Sequence, residues 1–199
     1  MDPLLIELPP HLATERLLLR CPTEHDAQAV NAAVCESLDD LKPWMPWAQA
    51  EPSLAQSRAD CRKLQARFLL REELTMFIFE READGSEGRF IGGSGLHRIR
   101  WDVRCFEIGY WCRTSMQRQG FVGEAVVALS EFAFGLLQAQ RVEIRMDDGN
   151  ERSRRVAERA GFRHEGESHS ANLTSQGELR GTRVHVRVRS VTGPARTRG

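Results

Sequence analysis

Phe106-Glu107-Ile108-Gly109-Tyr110-Trp111 and, five residues on, Gln117-Arg118-Gln119-Gly120-Phe121-Val122-Gly123-Glu124-Ala125 are the stretches whose reading decides the fold. The first is short and rich in aromatic and β-branched residues, as a strand is. The second is a glycine turn that opens a helix over about residues 120–138, with Ala125, Leu129, Phe132, Ala133 and Leu136 on one apolar face. Arg141 to Met146 reads as the next strand. Asp148-Gly149-Asn150-Glu151-Arg152-Ser153 then opens a helix over 150–160, and Ala160-Gly161-Phe162 closes it. The order is strand, glycine turn, helix, strand, helix.

The turn has a chemical meaning. A helix N-terminus carries backbone N–H groups without intrahelical partners, and the aligned peptide dipoles add partial positive charge there. Gly120 and Gly123 remove side chains that would hold an anion away, so a phosphate or diphosphate suits the turn. A turn glycine followed by a helix-packing glycine reads the same way from residues alone. The full G-x-G-x-x-G of a dinucleotide fold is missing, and no Gly-Lys-[Ser/Thr] marks a nucleotide hydrolase.

Taken together, these motifs resemble the GNAT N-acetyltransferases, whose phosphate loop reads [Arg/Gln]-x-x-Gly-x-[Gly/Ala]. Gln117, Gly120 and Val122 occupy its places, with Val122 departing from the small third residue. Asn150-x-x-Ser153 and Ala160-Gly161-Phe162 resemble the RimJ/RimL branch, which acetylates amino groups of ribosomal proteins and other targets. The resemblance runs from Thr14-Glu15-Arg16-Leu17-Leu18-Leu19-Arg20 through Trp44-Met45-Pro46-Trp47 to about Glu167. It implies an α/β GNAT fold, a mixed and mostly antiparallel sheet of about seven strands with helices on both faces. That sheet opens as a V at the cofactor strand. It also implies acetyl-CoA as cofactor without a metal, and a primary amine as acceptor, either a protein N-terminus or a small molecule. Relatives are often homodimers. A non-catalytic acyl-CoA-binding module of the same fold is the alternative.

The resemblance assigns Ile108, Gly109, Tyr110, Gln117, Arg118, Gln119, Gly120, Phe121, Val122, Gly123, Glu124, Asn150, Ser153 and Arg154 to the cofactor. It places Trp44 and Trp47 beside the acceptor entrance and makes Ser153 the acid that protonates the departing thiolate. Tyr110, the only tyrosine, is the other hydroxyl available. The strand's alternation turns Glu107 to the face opposite Ile108; if that face meets the open cleft, partial burial would raise its pKa toward that of a general base, while a surface glutamate or one paired with a nearby arginine is the alternative. His97 on the preceding strand is the substitute base or acceptor contact. A backbone N–H near Tyr110 or Trp111 would meet the oxyanion if the strand splays or bulges there. Asn150 reads equally as a helix N-cap.

The 199 residues fit one domain, 1–199, with an arm at 1–10 and a basic tail at 190–199 that includes Arg196 and Arg198. Positive and negative side chains balance at 28 each, which gives no push toward nucleic acid or an anionic membrane. Only Lys42 and Lys63 are lysines; the arginine bias fits a GC-rich genome as well as phosphate binding. Cys21, Cys35, Cys61, Cys105 and Cys112 form no C-x-x-C pair, so a zinc site or disulfide framework is not expected. An odd cysteine count and the lack of a basic, apolar leader fit a reducing cytoplasm.

Elsewhere the chain reads as a strand over 12–20, a helix over about 24–37 capped by Thr23, and a loop over 41–52. A second helix, capped by Ser53, follows to about Glu72, with Leu54, Cys61, Leu64 and Phe68 as its stripe. Strands are expected over 74–82, 90–100 and 104–112. A hairpin over 168–189 carries the alternation Val184, Val186, Val188, read as a half-solvated strand.

Overall fold

Alternation in Leu74-Thr75-Met76-Phe77-Ile78-Phe79 divides the interior in two. Successive strand residues point to opposite faces of a sheet. Met76 and Ile78 join one apolar cluster with Leu129 and Ala133, and Phe77 and Phe79 join another with Ala27, Ala33, Cys61 and Phe90. The computed structural model describes residues 2–173 and 179–189. The loop 174–178 and the tail 190–199, with Arg196 and Arg198, lie outside the described residues.

The strands are β1 (His11–Ala13), β2 (Leu17–Arg20), β3 (Leu74–Arg81), β4 (Glu87–Arg100), β5 (Cys105–Cys112), β6 (Arg141–Asp147), β7 (Arg163–Leu173) and β8 (Leu179–Val188). The helices are α1 (Ala27–Leu41), α2 (Leu54–Leu69), α3 (Phe121–Gly135) and α4 (Glu151–Arg159). One eight-stranded sheet runs in the order β1-β2-β3-β4-β5-β6-β8-β7. Every neighbouring pair is antiparallel except β5 and β6. The α/β class, the mixed sheet and the helices on both faces are as expected. No helix among the described residues is long and apolar enough to cross a membrane.

Local chemistry sets the helix starts. Thr23 and Asp26 form a reciprocal capping box ahead of α1, and the Ser53 hydroxyl accepts from the Gln56 amide at 3.1 Å ahead of α2. A latch ties this helical layer to the sheet. Both Asp26 oxygens accept from Arg20, at 2.8 and 2.7 Å, while Arg20 also holds Glu87 and lies over the Phe79 ring.

Four details differ from the sequence reading. Residues 12–20 are not one strand. The Thr14 hydroxyl accepts from the Leu17 amide at 2.9 Å and closes a hairpin that folds β1 onto β2, and this adds the eighth strand. Leu136 is 47% exposed, because α3 ends at Gly135 and Gln138 turns left-handed at φ 55°; Leu137 takes the buried place. Leu54 is the first residue of α2 and stays exposed, while Ser57 is buried and bonded to Asn31. β8 is not half-solvated at its centre. His185 and Val186 point to opposite faces and both are buried, while Val188 is exposed.

Candidate active site

β5 and β6 run side by side only briefly. Their parallel ladder joins residues 105–107 to 141–143 and then stops, while β5 continues to Cys112 and β6 to Asp147. Beyond Glu107 the sheet is therefore split along one edge of β5. The other edge stays paired with β4 without irregularity from Gly109 to Cys112, so the opening comes from splay and not from a bulge.

The turn that follows β5 and opens α3 is built by glycine. Gly120 caps α3 at φ 83°, a left-handed conformation that disfavours side chains. The Glu124 amide donates to the Gly120 carbonyl, which leaves the amides of Phe121, Val122 and Gly123 without helical acceptors. A Cβ on Gly123 would meet no atom within 4 Å, so open space lies beside that residue. Arg118, itself at φ 62°, has no hydrogen-bond or ion-pair partner among the described residues. The Gln117 amide is engaged instead: it donates to Asp40 at 3.2 Å and accepts from Arg152 at 3.3 Å. Glu124 has neither amide nor carboxylate free, because the carboxylate holds Thr14 and Arg16. Arg154 is taken by Glu151 and Glu158.

Across the split stands α4. Asn150 caps it, its side-chain oxygen accepting from the Ser153 amide at 3.0 Å. The Tyr110 hydroxyl lies 2.7 Å from the Ser153 hydroxyl and donates to the Ser153 carbonyl at 3.1 Å. Tyr110 comes from one arm of the split and Ser153 from the helix that follows the other. Burial pushes the Tyr110 pKa up to about 12, against a smaller opposing effect of the Ser153 hydrogen bond.

The opposite face of β5 carries Glu107, Gly109 and Trp111, as its alternation requires; Ile108 is buried in the core on the other side. The Glu107 side chain is 16% exposed, and its Oε2 atom is buried without a hydrogen-bond partner. Arg98 and Arg145 approach that oxygen only to 3.6 and 3.8 Å. Burial raises the Glu107 pKa above the usual carboxylate value, and the two arginines only partly oppose it. His97 pairs with Glu107 across the strands, and its ring would lie 3.0 Å from a Cβ on Gly109. Its Nδ1 is 3.8 Å from Glu73.

Gly93 makes room for the Trp111 indole, whose nitrogen would be 2.6 Å from a Cβ there. Trp111 in turn meets Trp47 edge to face at 5.7 Å, and Trp47 is 54% exposed. Trp44 lies beside Gly149 with the Arg180 guanidinium over its ring. The two tryptophans thus flank different places: the end of β5 and the end of β6.

Three features escaped the sequence reading. Asp40 of α1 gathers Thr114, Gln117 and Arg152, residues more than seventy positions away in sequence. Arg98 and Arg145 flank Glu107, and Arg16 with Thr14 clamps Glu124. None leaves a local signal, because each joins distant segments. No three side chains of the metal-binding types cluster among the described residues.

The splayed sheet, the unpaired helix amides and the Tyr110–Ser153 hydroxyl pair suit an extended, anionic ligand. The class comes from comparison with known proteins. The model of the acetyltransferase (GNAT) domain matches residues 16–163, so the chain belongs to the GNAT acetyltransferase family. YdaF of Bacillus subtilis (strain 168) is 38% identical over 82 residues, which is 41% of this chain and 45% of that protein. The ribosomal-protein-serine acetyltransferase of Escherichia coli (strain K12) is 29% identical over 156 residues, 77% of this chain and 82% of that protein. The structure of RimL, a ribosomal L7/L12 alpha-N-protein acetyltransferase in complex with coenzyme A, superposes with a TM-score of 0.81 at 21% identity. That superposition covers 89% of this chain and 97% of RimL, and it is a likeness of fold.

Proposed function

We propose that the protein transfers the acetyl group of acetyl-CoA to a protein N-terminal amine, with the thioester laid into the split between β5 and β6. The observation that carries this reading is the Tyr110–Ser153 hydroxyl pair spanning that split, with unpaired amides at the start of α3 and the under-bonded Glu107 on the opposite face. The residues fit the cofactor. The amides of Phe121, Val122 and Gly123 suit a diphosphate, and the β5 edge beyond Glu107 lacks a strand partner and suits the amides of the pantetheine arm.

Each residue then has one task. Glu107, directly or through a water, takes a proton from the acceptor ammonium so that its nitrogen carries a free electron pair. The amine nitrogen bonds to the acetyl carbon and the carbon–sulfur bond breaks. A backbone N–H at Tyr110 or Trp111 holds the carbonyl oxygen as charge builds on it. Ser153, hydrogen-bonded to Tyr110, delivers a proton to the thiolate; the acylated nitrogen sheds its second proton to solvent, and solvent returns a proton to Ser153. Trp47, Trp44 and His97 line the acceptor side. The relative named as a ribosomal-protein-serine acetyltransferase supports a protein N-terminus over a small amine.

The test is mass spectrometry of a bacterial proteome incubated with the enzyme and isotope-labelled acetyl-CoA. Label on one or a few protein N-termini is the expected outcome. Cofactor binding without label on any protein would favour the non-catalytic module, and label on small amines alone would move the acceptor class.

A further inference from the structure

Glu124 places a carboxylate in the first turn of α3, beside the amides that the proposed function gives to a diphosphate. A negative charge there repels an anionic ligand unless something cancels it. The hydrogen-bond pattern around it is unusually complete. Its Oε1 accepts from the Thr14 hydroxyl at 2.5 Å and from the Arg16 amide at 3.1 Å. Its Oε2 accepts from Arg16 Nε at 2.8 Å, and Arg16 Nη2 lies 2.6 Å away. Burial acts to raise the Glu124 pKa, but the bonds from Thr14 and Arg16 outweigh it and hold the pKa below the usual carboxylate range. Glu124 is therefore ionised, and its charge has one dedicated partner.

Arg16 does more than neutralise. Its Nη1 donates to the Gln119 carbonyl at 3.0 Å, and its guanidinium covers the Phe121 ring at 4.8 Å from the centroid. Its Nη2 is 3.5 Å from where a Cβ on Gly120 would stand. One side chain from the β1–β2 turn thus grips the residues before and after Gly120 and turns the Gln119 carbonyl, a poor neighbour for phosphate, to itself.

We infer that Arg16 is a positioning residue for cofactor binding, which cancels the Glu124 carboxylate and fixes the glycine turn so that its amides receive the coenzyme A diphosphate. The inference rests on the proposed place of that diphosphate. It separates charge from shape: without Arg16 the turn presents a bare carboxylate to the ligand. Removing the carboxylate as well removes the repulsion.

The experiment compares wild type, Arg16→Met, Glu124→Gln and the double variant by calorimetry with coenzyme A and by steady-state kinetics. Arg16→Met is expected to weaken coenzyme A binding and raise KM for acetyl-CoA roughly tenfold, the size of one uncompensated charge at this range, with kcat little changed. Adding Glu124→Gln is expected to restore most of the loss. Acetyl-pantetheine, which has no diphosphate, is expected to be used equally by wild type and Arg16→Met. Wild-type affinity in Arg16→Met, no rescue in the double variant, or an equal loss with acetyl-pantetheine would overturn the inference. If Arg16→Met does not fold by circular dichroism, Arg16→Lys carries the test, because it keeps the charge and loses the fork. It is expected to bind coenzyme A within a few fold of wild type, and a loss of roughly tenfold, the size of one uncompensated charge, would overturn the charge role. Gly120→Val serves as the control on the underlying reading. If it binds coenzyme A normally, the diphosphate site itself is misplaced; if it does not bind while Arg16→Met is normal, only the role of Arg16 fails.

Discussion

Glu107 sits where the fold has removed water without supplying a hydrogen bond to its Oε2 atom. Its raised pKa has a consequence for stability as well as for catalysis. A folded-state pKa above the unfolded value means the native state binds the proton more tightly, so Glu107 costs stability as pH rises through that folded pKa. Glu107→Gln is therefore expected to melt at or above the wild-type temperature near neutral pH, with the advantage fading under acid, while kcat falls by roughly 10²-fold. Calorimetric melts at two pH values beside a kinetic assay check both halves. A lower melting temperature together with an unchanged rate would remove Glu107 from the chemistry. Ser153→Ala is expected to lose turnover and keep coenzyme A affinity. At this scale the sequence was informative about direction. The parity of Glu107 against Ile108 was readable because a strand alternates. Its arginine neighbours were not, because Arg98 lies on β4 beside an irregular register, at φ 43°, and Arg145 on β6.

Elements were legible where their causes are local. Thr23, Ser53 and Asn150 each start a helix with their own side chains or those of near neighbours, and Gly120 marks its turn through a backbone conformation. Gly120→Ala is expected to cost about 1–2 kcal/mol from the left-handed backbone alone, measured by denaturant unfolding. Asn150→Ala is expected to cost about 1 kcal/mol through the lost cap and to lower kcat by releasing Ser153, whose amide it holds. The β1–β2 hairpin was not legible. Its turn is held in part by Glu124, more than one hundred residues away, and nothing in residues 12–20 announces that partner. The exchange of Leu136 for Leu137 in the core likewise follows from a helix that stops one turn earlier than its apolar spacing suggests.

For the whole molecule, the order of motifs carried the fold, because a strand, a glycine turn and an Asn-led helix leave few ways to arrange a sheet that opens at one edge. The ties between layers were hidden. Asp26 is one of them. Burial raises its pKa, but the bonds from Arg20 and Thr23 outweigh that and leave it depressed. A depressed folded pKa gives stability that is present above the unfolded carboxylate value and lost as pH falls through the folded one. Asp26→Asn is expected to destabilise by about 2–3 kcal/mol at neutral pH and to flatten the acid limb of the stability curve below about pH 4. Denaturant melts across that range check it. The most direct test of the account is a crystal structure with acetyl-CoA bound. It is expected to place the diphosphate on the amides of Phe121 to Gly123 and the sulfur within hydrogen-bonding reach of Ser153, between β5 and β6. A diphosphate bound elsewhere, or a split closed by side chains with the thioester outside it, would contradict the account.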